Sequence, residues 1–499
     1  MTDQTKLPHI SVCVVGHVDA GKSTTTGHLL LKLKAVDERD HAKNVKLAEE
    51  IGKKTFEFAF AMDTLKEEQE RGITIKATAK KFFTENYYYT ISDCPGHKDF
   101  LKNMQSGSSS ADVAIIMLPA AGFETAIAKG EDGKNEGQTR QHTRIINLTG
   151  IKQIIVCINK MDSPGVDWKE ERFNEIRDEA YHMLVQSGYG TGKTEADRIK
   201  RAKELYPIIP ISGYHGDNLV EKSDKAPWYP GFTVERLDGT KVSGYTLYDA
   251  LNNYAQIPKR RDDKPFRMCV GAVLPLPIGT IVTGGVEQGV IKPGDNVVFC
   301  PSGATAKAFQ MEMHNKQLES AHGGDNIGIN IKGFDKALPP KRGDVMFLAS
   351  EKPCEVYEFT AQIHIQDHPG ELKVGYSPNI TVKTAAAACR MQSINWRLGK
   401  ETNKTKAVAS DPTQADLCKM IKQGDAAEVV FRPQKPLYLE KFDSCEGLAR
   451  ICLMDSSKLV ALGKVTDVKY YTPELKAKLA AEAKAAADAK RATMQKKKK

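Results

Sequence analysis

The first half of the chain alternates short apolar segments with longer amphipathic ones. Four short segments are mostly apolar, as is typical of buried strands. They are residues 9–16, 87–93, 112–118 and 153–159. Amphipathic stretches between and after them predict helices at 22–33, 98–107, 137–150 and 168–188. Strands that alternate with helices predict a mostly parallel sheet covered by helices.

The pattern changes after the polar stretch 256–265, which predicts a linker. Short apolar strands are then broken by turns at 292–295, 322–325 and 341–344, and this spacing is typical of antiparallel barrels. We therefore predict an α/β domain followed by two antiparallel β-barrels. The predicted domains are 1–256, 265–350 and 351–470, followed by a basic Ala/Lys-rich tail at 471–499 that is a solvated helix, a disordered segment or a partner-binding element.

Composition indicates a compartment but does not decide on nucleic-acid binding. Most of the formal charge of +9 lies in residues 473–499, which carry nine Lys or Arg against three acids, so the basic balance indicates a tail and does not by itself show a nucleic-acid groove. The ten cysteines form no Cys-x-x-Cys pair, as expected of reduced thiols. Without a signal peptide or a membrane-spanning run, we expect a cytoplasmic protein with no membrane partner.

The run "GHVDAGKST" fits the phosphate-binding pattern G-x-x-x-x-G-K-[ST] and stands between a predicted strand and a predicted helix. Backbone amides of such a loop surround phosphates, its lysine reaches the β- and γ-phosphates, and its hydroxyl binds magnesium. The predicted nucleotide-binding residues here are Gly16, His17, Val18, Asp19, Ala20, Gly21, Lys22, Ser23 and Thr24. The similar run "GYGTGKT" at 188–194 is one residue short and follows a helix, which favours a surface loop.

Two further segments predict a magnesium and γ-phosphate site. Thr74 in "RGITI" is a candidate second magnesium ligand on a switch segment, although the same residues fit an edge strand. Asp93 ends the next strand and is expected to hold magnesium through water, with the Gly96 amide near the γ-phosphate. His97 follows this turn and is predicted to orient the attacking water, with a purely structural histidine as the alternative.

The run "NKMD" at 159–162 closes a predicted strand and fits a guanine-reading loop. The Asp162 carboxylate can accept both N–H groups on one edge of guanine, while Asn159 and Lys160 brace the loop. The next strand is followed by "ISGYHGDN", in which Ser212, Gly213 and Tyr214 are expected to support the base. Together these segments predict a GTPase domain that uses GTP or GDP and Mg²⁺.

This ordered set of segments resembles the translation elongation factor 1-alpha family. The similarity continues through "GTIVTGGVEQGVIKPGD", "GGDNIGIN", "FTAQIHIQDHPG" and "GDAAEVVFRPQKP", and it covers about 460 residues. Ala20, the turn "DCPGH" and extra residues near 129–137 and 188–203 resemble the elongation factor-like branch of that family. The resemblance implies delivery of aminoacyl-tRNA to the ribosomal A site, ribosome-stimulated GTP hydrolysis and an exchange factor that the sequence does not identify.

The resemblance also implies roles for single residues. Val18 and Ile73 match two apolar residues that gate the catalytic histidine. The residues that it places near tRNA are Lys102 and Asn103 at the 5′ end, and Glu312 and Asn326 at the aminoacyl pocket. For Lys102, a solvated helix charge is the alternative.

Three other classes stay open on the sequence. They are a release-factor or ribosome-rescue GTPase, the GTPase subunit of a sulfate-activating enzyme, and an additional actin-binding scaffold that uses the basic tail.

Overall fold

The computed structural model contains a six-stranded α/β sheet and two closed barrels. It describes residues 7–478 except 64, 72–73, 75–77, 97–110, 129–136, 278, 314–315, 367, 369, 403–404, 456–457, 473 and 476. The sheet strands are β1 (His9–Gly16), β2 (Thr78–Phe83), β3 (Tyr88–Asp93), β4 (Val113–Pro119), β5 (Gln153–Asn159) and β6 (Ile208–Pro210). Their order is β2-β3-β1-β4-β5-β6, and only β2 runs antiparallel to its neighbour. The predicted mostly parallel sheet is therefore confirmed.

Helices accompany this sheet. They are α1 (Lys22–Lys32), α2 (Glu38–Glu50), α3 (Lys66–Arg71), α4 (Phe123–Ile127), α5 (Gln138–Leu148), α6 (Glu170–Gln186), α7 (Glu195–Leu205) and α8 (Leu247–Asp249), which continues as a π-helix over Ala250–Tyr254. Short 3₁₀ turns lie at Lys54–Phe56 and Ala59–Ala61, and a two-stranded hairpin is formed by β7 (Phe232–Glu235) and β8 (Lys241–Gly244). The central strands β4 and β5 are buried along their whole length, which explains their continuous apolar sequence.

The first barrel begins after the linker. Its strands are β9 (Arg267–Leu276), β10 (Gly279–Gln288), β12 (Asn296–Cys300), β13 (Thr305–Met313), β16 (Asn326–Lys332) and β17 (Val345–Leu348). Pairing of β12 with both β13 and β17 closes these six strands into a ring. Accessory strands are β11 (Val290–Ile291), β14 (Lys316–Gln317) and β15 (Ala321–His322).

The second barrel closes in the same way, because β20 pairs with both β21 and β25. Its strands are β18 (Val356–Ile365), β20 (Asn379–Val382), β21 (Ala385–Leu398), β24 (Ala426–Pro433), β25 (Arg450–Asp455) and β26 (Lys458–Tyr470). Accessory elements are β19 (Leu372–Lys373), β22 (Ala407–Val408), β23 (Met420–Ile421), a 3₁₀ turn at Ala415–Cys418 and α9 (Glu446–Ala449). Inward residues alternate along β24 and fill the core, where Phe359 stacks on its cross-strand partner Phe431.

The α/β unit and the second barrel share apolar contacts. Cys452, Met454 and Leu459 of the barrel belong to the same buried cluster as the core of the α/β sheet. Helix α5 contacts β26 at this interface. The loops that the sequence predicts to bind nucleotide therefore lie in a unit that packs directly against the second barrel.

The linker residues bind more than one domain. Arg260 forms an ion pair with Asp112 of the α/β unit at 2.8 Å and also donates to the His9 carbonyl. The next residue, Arg261, pairs with Glu446 of the second barrel at 2.9 Å. The predicted linker is thus irregular in backbone but held by specific charges.

Asp262 adds the third anchor. Its carboxylate lies 3.0 Å from Nδ1 of His322 and accepts the Gly323 amide, both in the first barrel. Three consecutive residues, Arg260 to Asp262, therefore contact three different structural units. We refer to these three residues as the linker triplet.

All ten cysteines are free, and nine are buried, with Cys354 exposed. None of the helices in the described part of the chain is long and apolar enough to cross a bilayer.

Candidate functional site

The predicted phosphate-binding loop, residues 16–24, forms the turn between β1 and α1. We call it the phosphate-type loop. Strand β1 ends at Gly16, and α1 begins at Lys22 after Gly21, whose φ of 84° is left-handed. A Cβ on Gly21 would lie 2.3 Å from Nδ2 of Asn159, so glycine is required here by both conformation and space. The loop therefore stands at the carboxyl edge of the parallel sheet, with a helix N-terminus behind it.

Lys22 lies over this loop. It is 6% exposed, and its Nζ donates to the His17 carbonyl at 2.9 Å. Burial lowers the pKa of Lys22, and the nearby charge of Asp93 opposes that shift. The amine is held where a phosphate bound in the loop would meet it.

Hydroxyl and carboxylate groups meet beside Lys22. Ser23 Oγ lies 3.1 Å from Thr74 Oγ1, so the structure brings the two predicted magnesium ligands together. The Thr74 hydroxyl donates to Asp63 Oδ1 at 2.8 Å. Asp93 is fully buried, and neither of its carboxylate oxygens has a hydrogen-bond partner among the described residues.

This arrangement fits a hard divalent cation. Burial raises the pKa of Asp93 to about 6, and burial together with the Asp93 charge raises that of Asp63 to about 7. Two buried carboxylates that resist ionisation are stabilised by a nearby positive charge. Mg²⁺ prefers oxygen ligands and keeps several waters, so Ser23 and Thr74 would bind it directly and Asp63 and Asp93 through water.

Asp63 was missed in the sequence. It follows the apolar run "FAFAM" and has no spacing signature relative to the phosphate-type loop. Only the folded chain brings Asp63 to Thr74, because the 3₁₀ turn Ala59–Ala61, just before Asp63, packs against α1.

Asn159 joins two loops at the base-binding end. Its Nδ2 donates to the Ala20 carbonyl at 2.9 Å, and its Oδ1 accepts the Gly213 amide at 2.8 Å. Asn159 is 3% exposed. The predicted bracing role therefore has a specific form, a bridge between the phosphate-type loop and the 212–216 loop.

Asp162 and its neighbours form the rest of this end. Lys160 has a left-handed φ of 63°. The Asp162 carboxylate is partly exposed and lies 3.6 Å from Nε2 of His215. Ser212 is fully buried and bridges to Asp217, which shapes the loop that carries Tyr214.

A cavity of about 640 Å³ joins the phosphate and base ends. Its wall includes Val18, Lys22, Thr74, Asp162 and Tyr214. Part of the remaining wall, Thr55, Phe56 and Ala59, comes from the 3₁₀ segment that the sequence did not single out. The volume lies within the usual range of 300–1,000 Å³ for small-molecule sites, and most of the predicted nucleotide residues line it.

Helix α5 supports the phosphate-type loop from the side. The His17 amide donates to Thr139 Oγ1 at 3.0 Å, and the Val18 amide donates to Gln138 Oε1 at 3.2 Å. These residues were also missed, because polar side chains in the first turn are common to many helices. The same helix contacts β26, so the loop is joined through α5 to the second barrel.

Several predicted residues lie outside the part of the chain that the structure describes. Ile73, His97, Lys102 and Asn103 lie outside the described residues, as does the helix predicted at 98–107. Most of the insertion near 129–137 and of the basic tail lies outside them too. Of "RGITI", only Arg71, at the end of α3, and Thr74 are described, so the edge-strand alternative is untested.

Glu312 and Asn326 are exposed on the first barrel. Glu312 pairs with Gly328, and Asn326 precedes Gly328 by two residues on the same strand. They are therefore diagonal neighbours on the outer face, with Cα atoms about 7–8 Å apart.

The similar run at 188–194 has a structural role. Residues 191–194 are exposed, and Thr194 caps α7 in a reciprocal pair with Asp197. The threonine that resembles the end of a phosphate-binding pattern is thus a helix cap.

Comparison with known proteins covers nearly the whole chain. Residues 7–257 match the elongation factor Tu GTP binding domain, 279–347 match elongation factor Tu domain 2, and 358–466 match the GTP-eEF1A C-terminal domain-like family. Elongation factor 1-alpha of Coccidioides immitis is 40% identical over 467 residues, which are 92% of this chain and 94% of that protein. The chain belongs to the elongation factor 1-alpha family. Elongation factor 1-alpha of Tetrahymena pyriformis is 41% identical, over 92% of this chain and 98% of its own.

Membership of the elongation factor 1-alpha family establishes the general activity. The protein is a translational GTPase that hydrolyses GTP and binds GTP or GDP with Mg²⁺. The GTPase-like domain of Ski7 from S. cerevisiae, bound to GTP, has the same fold, with a TM-score of 0.69, 17% identity, and coverage of 93% of this chain and 98% of that chain. The α/β GTPase domain and two barrels predicted from the sequence are therefore confirmed.

Proposed function

We propose that this translational GTPase binds aminoacyl-tRNA in its GTP form, delivers it to the ribosomal A site and hydrolyses GTP on cognate decoding. The observation that carries the proposal is the contact path from the nucleotide-binding site to the second barrel. Through α5, the loop that contains Val18 is joined to β26, so a change at the phosphates can alter a surface far from them.

In this proposal, the residues around the phosphates stabilise the negative charge of the nucleotide. Backbone amides of residues 16–24 surround the phosphates, and Lys22 neutralises the β- and γ-phosphates. Ser23 and Thr74 hold Mg²⁺ directly, while Asp93 holds it through water and the Gly96 amide meets the γ-phosphate. Phosphoryl transfer requires mainly positioning and charge stabilisation, and these groups supply both.

The base side supplies specificity. Asp162 accepts the two N–H groups of guanine, and Lys160 packs against the ring. Asn159 holds the 212–216 loop in place, as its hydrogen bonds to Ala20 and Gly213 suggest.

For catalysis, we assign water orientation to His97. Val18 and Ile73 keep its ring away from the water until the ribosome moves it. Val18 lines the cavity, and Gln138 holds its amide, so one half of this gate has a defined position.

The tRNA contacts extend over two domains. Lys102 and Asn103 contact the 5′ end, and the diagonal pair of Glu312 and Asn326 lines the aminoacyl pocket. We assign nucleotide binding to residues 1–256, the barrels to 265–350 and 351–470, and the tail to 471–499. The ribosome and an exchange factor complete the partners, in the cytoplasm; an actin-binding role would depend on the tail, most of which lies outside the described residues.

Filter binding of charged and uncharged tRNA, in GTP and in GDP, tests the proposal. We expect preference for charged tRNA in GTP, with affinity that falls as salt rises because phosphate contacts release counterions. Lys102→Ala should flatten the log–log salt slope by about one contact and keep the preference for charged tRNA. Lys200→Ala, an exposed lysine on α7, is the control and should leave the slope unchanged. Equal binding of charged and uncharged tRNA would overturn the proposal.

A further inference from the structure

His28 is a buried titratable side chain that has no part in the mechanism above. It lies on α1, is 9% exposed, and its Nδ1 is 2.9 Å from the Gly213 carbonyl. A carbonyl only accepts hydrogen bonds, so Nδ1 carries the proton and donates. Burial lowers the pKa of His28, which favours the neutral ring. His28 and Asn159 therefore bind the same residue. His28 donates to the Gly213 carbonyl, and Asn159 accepts the Gly213 amide.

The 212–216 loop is fitted around the edge of this ring. Gly216 has a φ of 80°, and a Cβ there would lie 2.7 Å from Cε1 of His28. The Lys32 ammonium, one turn further along α1, donates to the Gly216 carbonyl at 3.1 Å. Helix α1 thus fixes the loop at both ends, through His28 and Lys32.

The face of the His28 ring packs against an aromatic side chain. The His28 ring stacks on Phe58 with centroids 4.1 Å apart and an interplanar angle of 3°. Phe58 also stacks on His41 of α2 at 5.2 Å and meets the edge of Tyr214 at 6.0 Å. Phe58 lies between the two 3₁₀ turns, and neighbouring residues of that segment line the nucleotide cavity.

The 3₁₀ segment ends at the magnesium side of the site. Asp63 follows it and accepts the Thr74 hydroxyl, and Thr74 lies beside Ser23. A chain of contacts therefore runs from Gly213 through His28 and Phe58 to the residues proposed to hold Mg²⁺.

We infer that His28 is a positioning residue that couples the guanine-binding loop to the magnesium side of the nucleotide site. This inference rests on the proposed base and metal assignments. It gives His28 two separable contributions: its Nδ1–H holds the base loop, and its ring, stacked on Phe58, holds the segment that leads to Asp63.

Two substitutions separate these contributions in the full-length protein. His28→Phe keeps an aromatic ring against Phe58 and removes the donor. His28→Asn keeps an amide donor near the position of Nδ1 and removes the ring. Tyr189→Phe is the matched control, because the Tyr189 hydroxyl donates to the buried Ile151 carbonyl at 3.0 Å and takes no part in the cavity.

Release of fluorescent mant-GDP and mant-GTP, with Mg²⁺ and with excess EDTA, is the measurement. His28→Phe should accelerate release of both nucleotides by about 2- to 10-fold in either buffer, as expected for one lost hydrogen bond. His28→Asn should accelerate release by about 2- to 10-fold with Mg²⁺ and by less than about 2-fold in EDTA, because the stack acts through the magnesium side.

The outcomes are distinct. The inference fails if both variants release nucleotide as Tyr189→Phe does, or if His28→Asn accelerates release equally with and without Mg²⁺. Phe58→Leu should show the same release rates as His28→Asn. It replaces the His28 variants in the test if they do not fold. Asp162→Asn, measured in parallel, tests the base assignment itself. If that variant loses its guanine preference while the His28 variants match the control, only the inference is wrong.

Discussion

Replacing Asn159 with alanine tests whether the bridge between the phosphate-type loop and the base loop determines nucleotide affinity. The substitution removes the donor to the Ala20 carbonyl and the acceptor of the Gly213 amide. It also leaves Lys22, Ser23 and Asp162 in place. Asn159 also lines the cavity and donates to Thr25 Oγ1 at 3.4 Å, so a loss of affinity reflects both the bridge between the loops and the cavity wall beside it.

The expected magnitude follows from these two hydrogen bonds. A neutral intramolecular hydrogen bond contributes about 0.5–1.5 kcal/mol net, so two contribute about 1–3 kcal/mol. At about 1.4 kcal/mol per factor of ten, GDP affinity should fall by about 5- to 150-fold. Because Asn159 is 3% exposed, water replaces its side chain poorly, which favours the upper part of this range.

Mant-GDP association and dissociation, with thermal unfolding of the nucleotide-free protein, provide the assay. Asn147→Ala is the matched control, since Asn147 also ties two backbone segments by donating to the Ser187 carbonyl at 2.8 Å, but outside the cavity. GDP affinity within about 3-fold of wild type for Asn159→Ala would refute the reasoning. So would an equal loss of affinity in Asn147→Ala.

Three further predictions concern specificity, catalysis and stability. Asp162→Asn leaves guanine N–H groups unpaired, so competition assays should show GTP affinity lower by tens-fold to thousands-fold and better binding of xanthine nucleotides; an unchanged preference would contradict the assignment. His97→Ala should keep GTP affinity within a few-fold and lower ribosome-stimulated single-turnover hydrolysis by at least about 100-fold, whereas near-normal rates would make His97 structural. Arg397→Met removes a buried pair with Asp425 at 2.7 Å and should lower the free energy of unfolding by about 3–5 kcal/mol in urea titration. The control Arg432→Met removes a partly exposed pair and should cost about 1 kcal/mol or less; equal losses would contradict the burial argument.

The sequence predicted those parts of the fold in which local pattern and tertiary environment agree. Strands β4 and β5 are buried on both faces, so their residues are apolar without interruption. Helix α2 was missed because it buries only Ala48 and has no continuous apolar face. Its N-cap Asp37, which accepts the Arg39 amide, was the available signal.

The same distinction applies to the site. The phosphate-type loop and the 159–162 loop were predictable because their chemistry requires particular residues at fixed spacing in the chain. Asp63, Gln138 and His28 act through contacts between segments that are distant in sequence. Their distances to Thr74, Val18 and Gly213 depend on packing, so residue type and spacing alone could not indicate their roles.

The linker triplet has a mechanical consequence. Consecutive Cα atoms are about 3.8 Å apart, so the backbone of Arg260, Arg261 and Asp262 spans at most about 8 Å while the three side chains reach three different units. Drawing one domain away along a line breaks its pair outright. The triplet therefore opposes the separation of any one unit from the other two, in addition to the apolar contacts between the α/β unit and the second barrel.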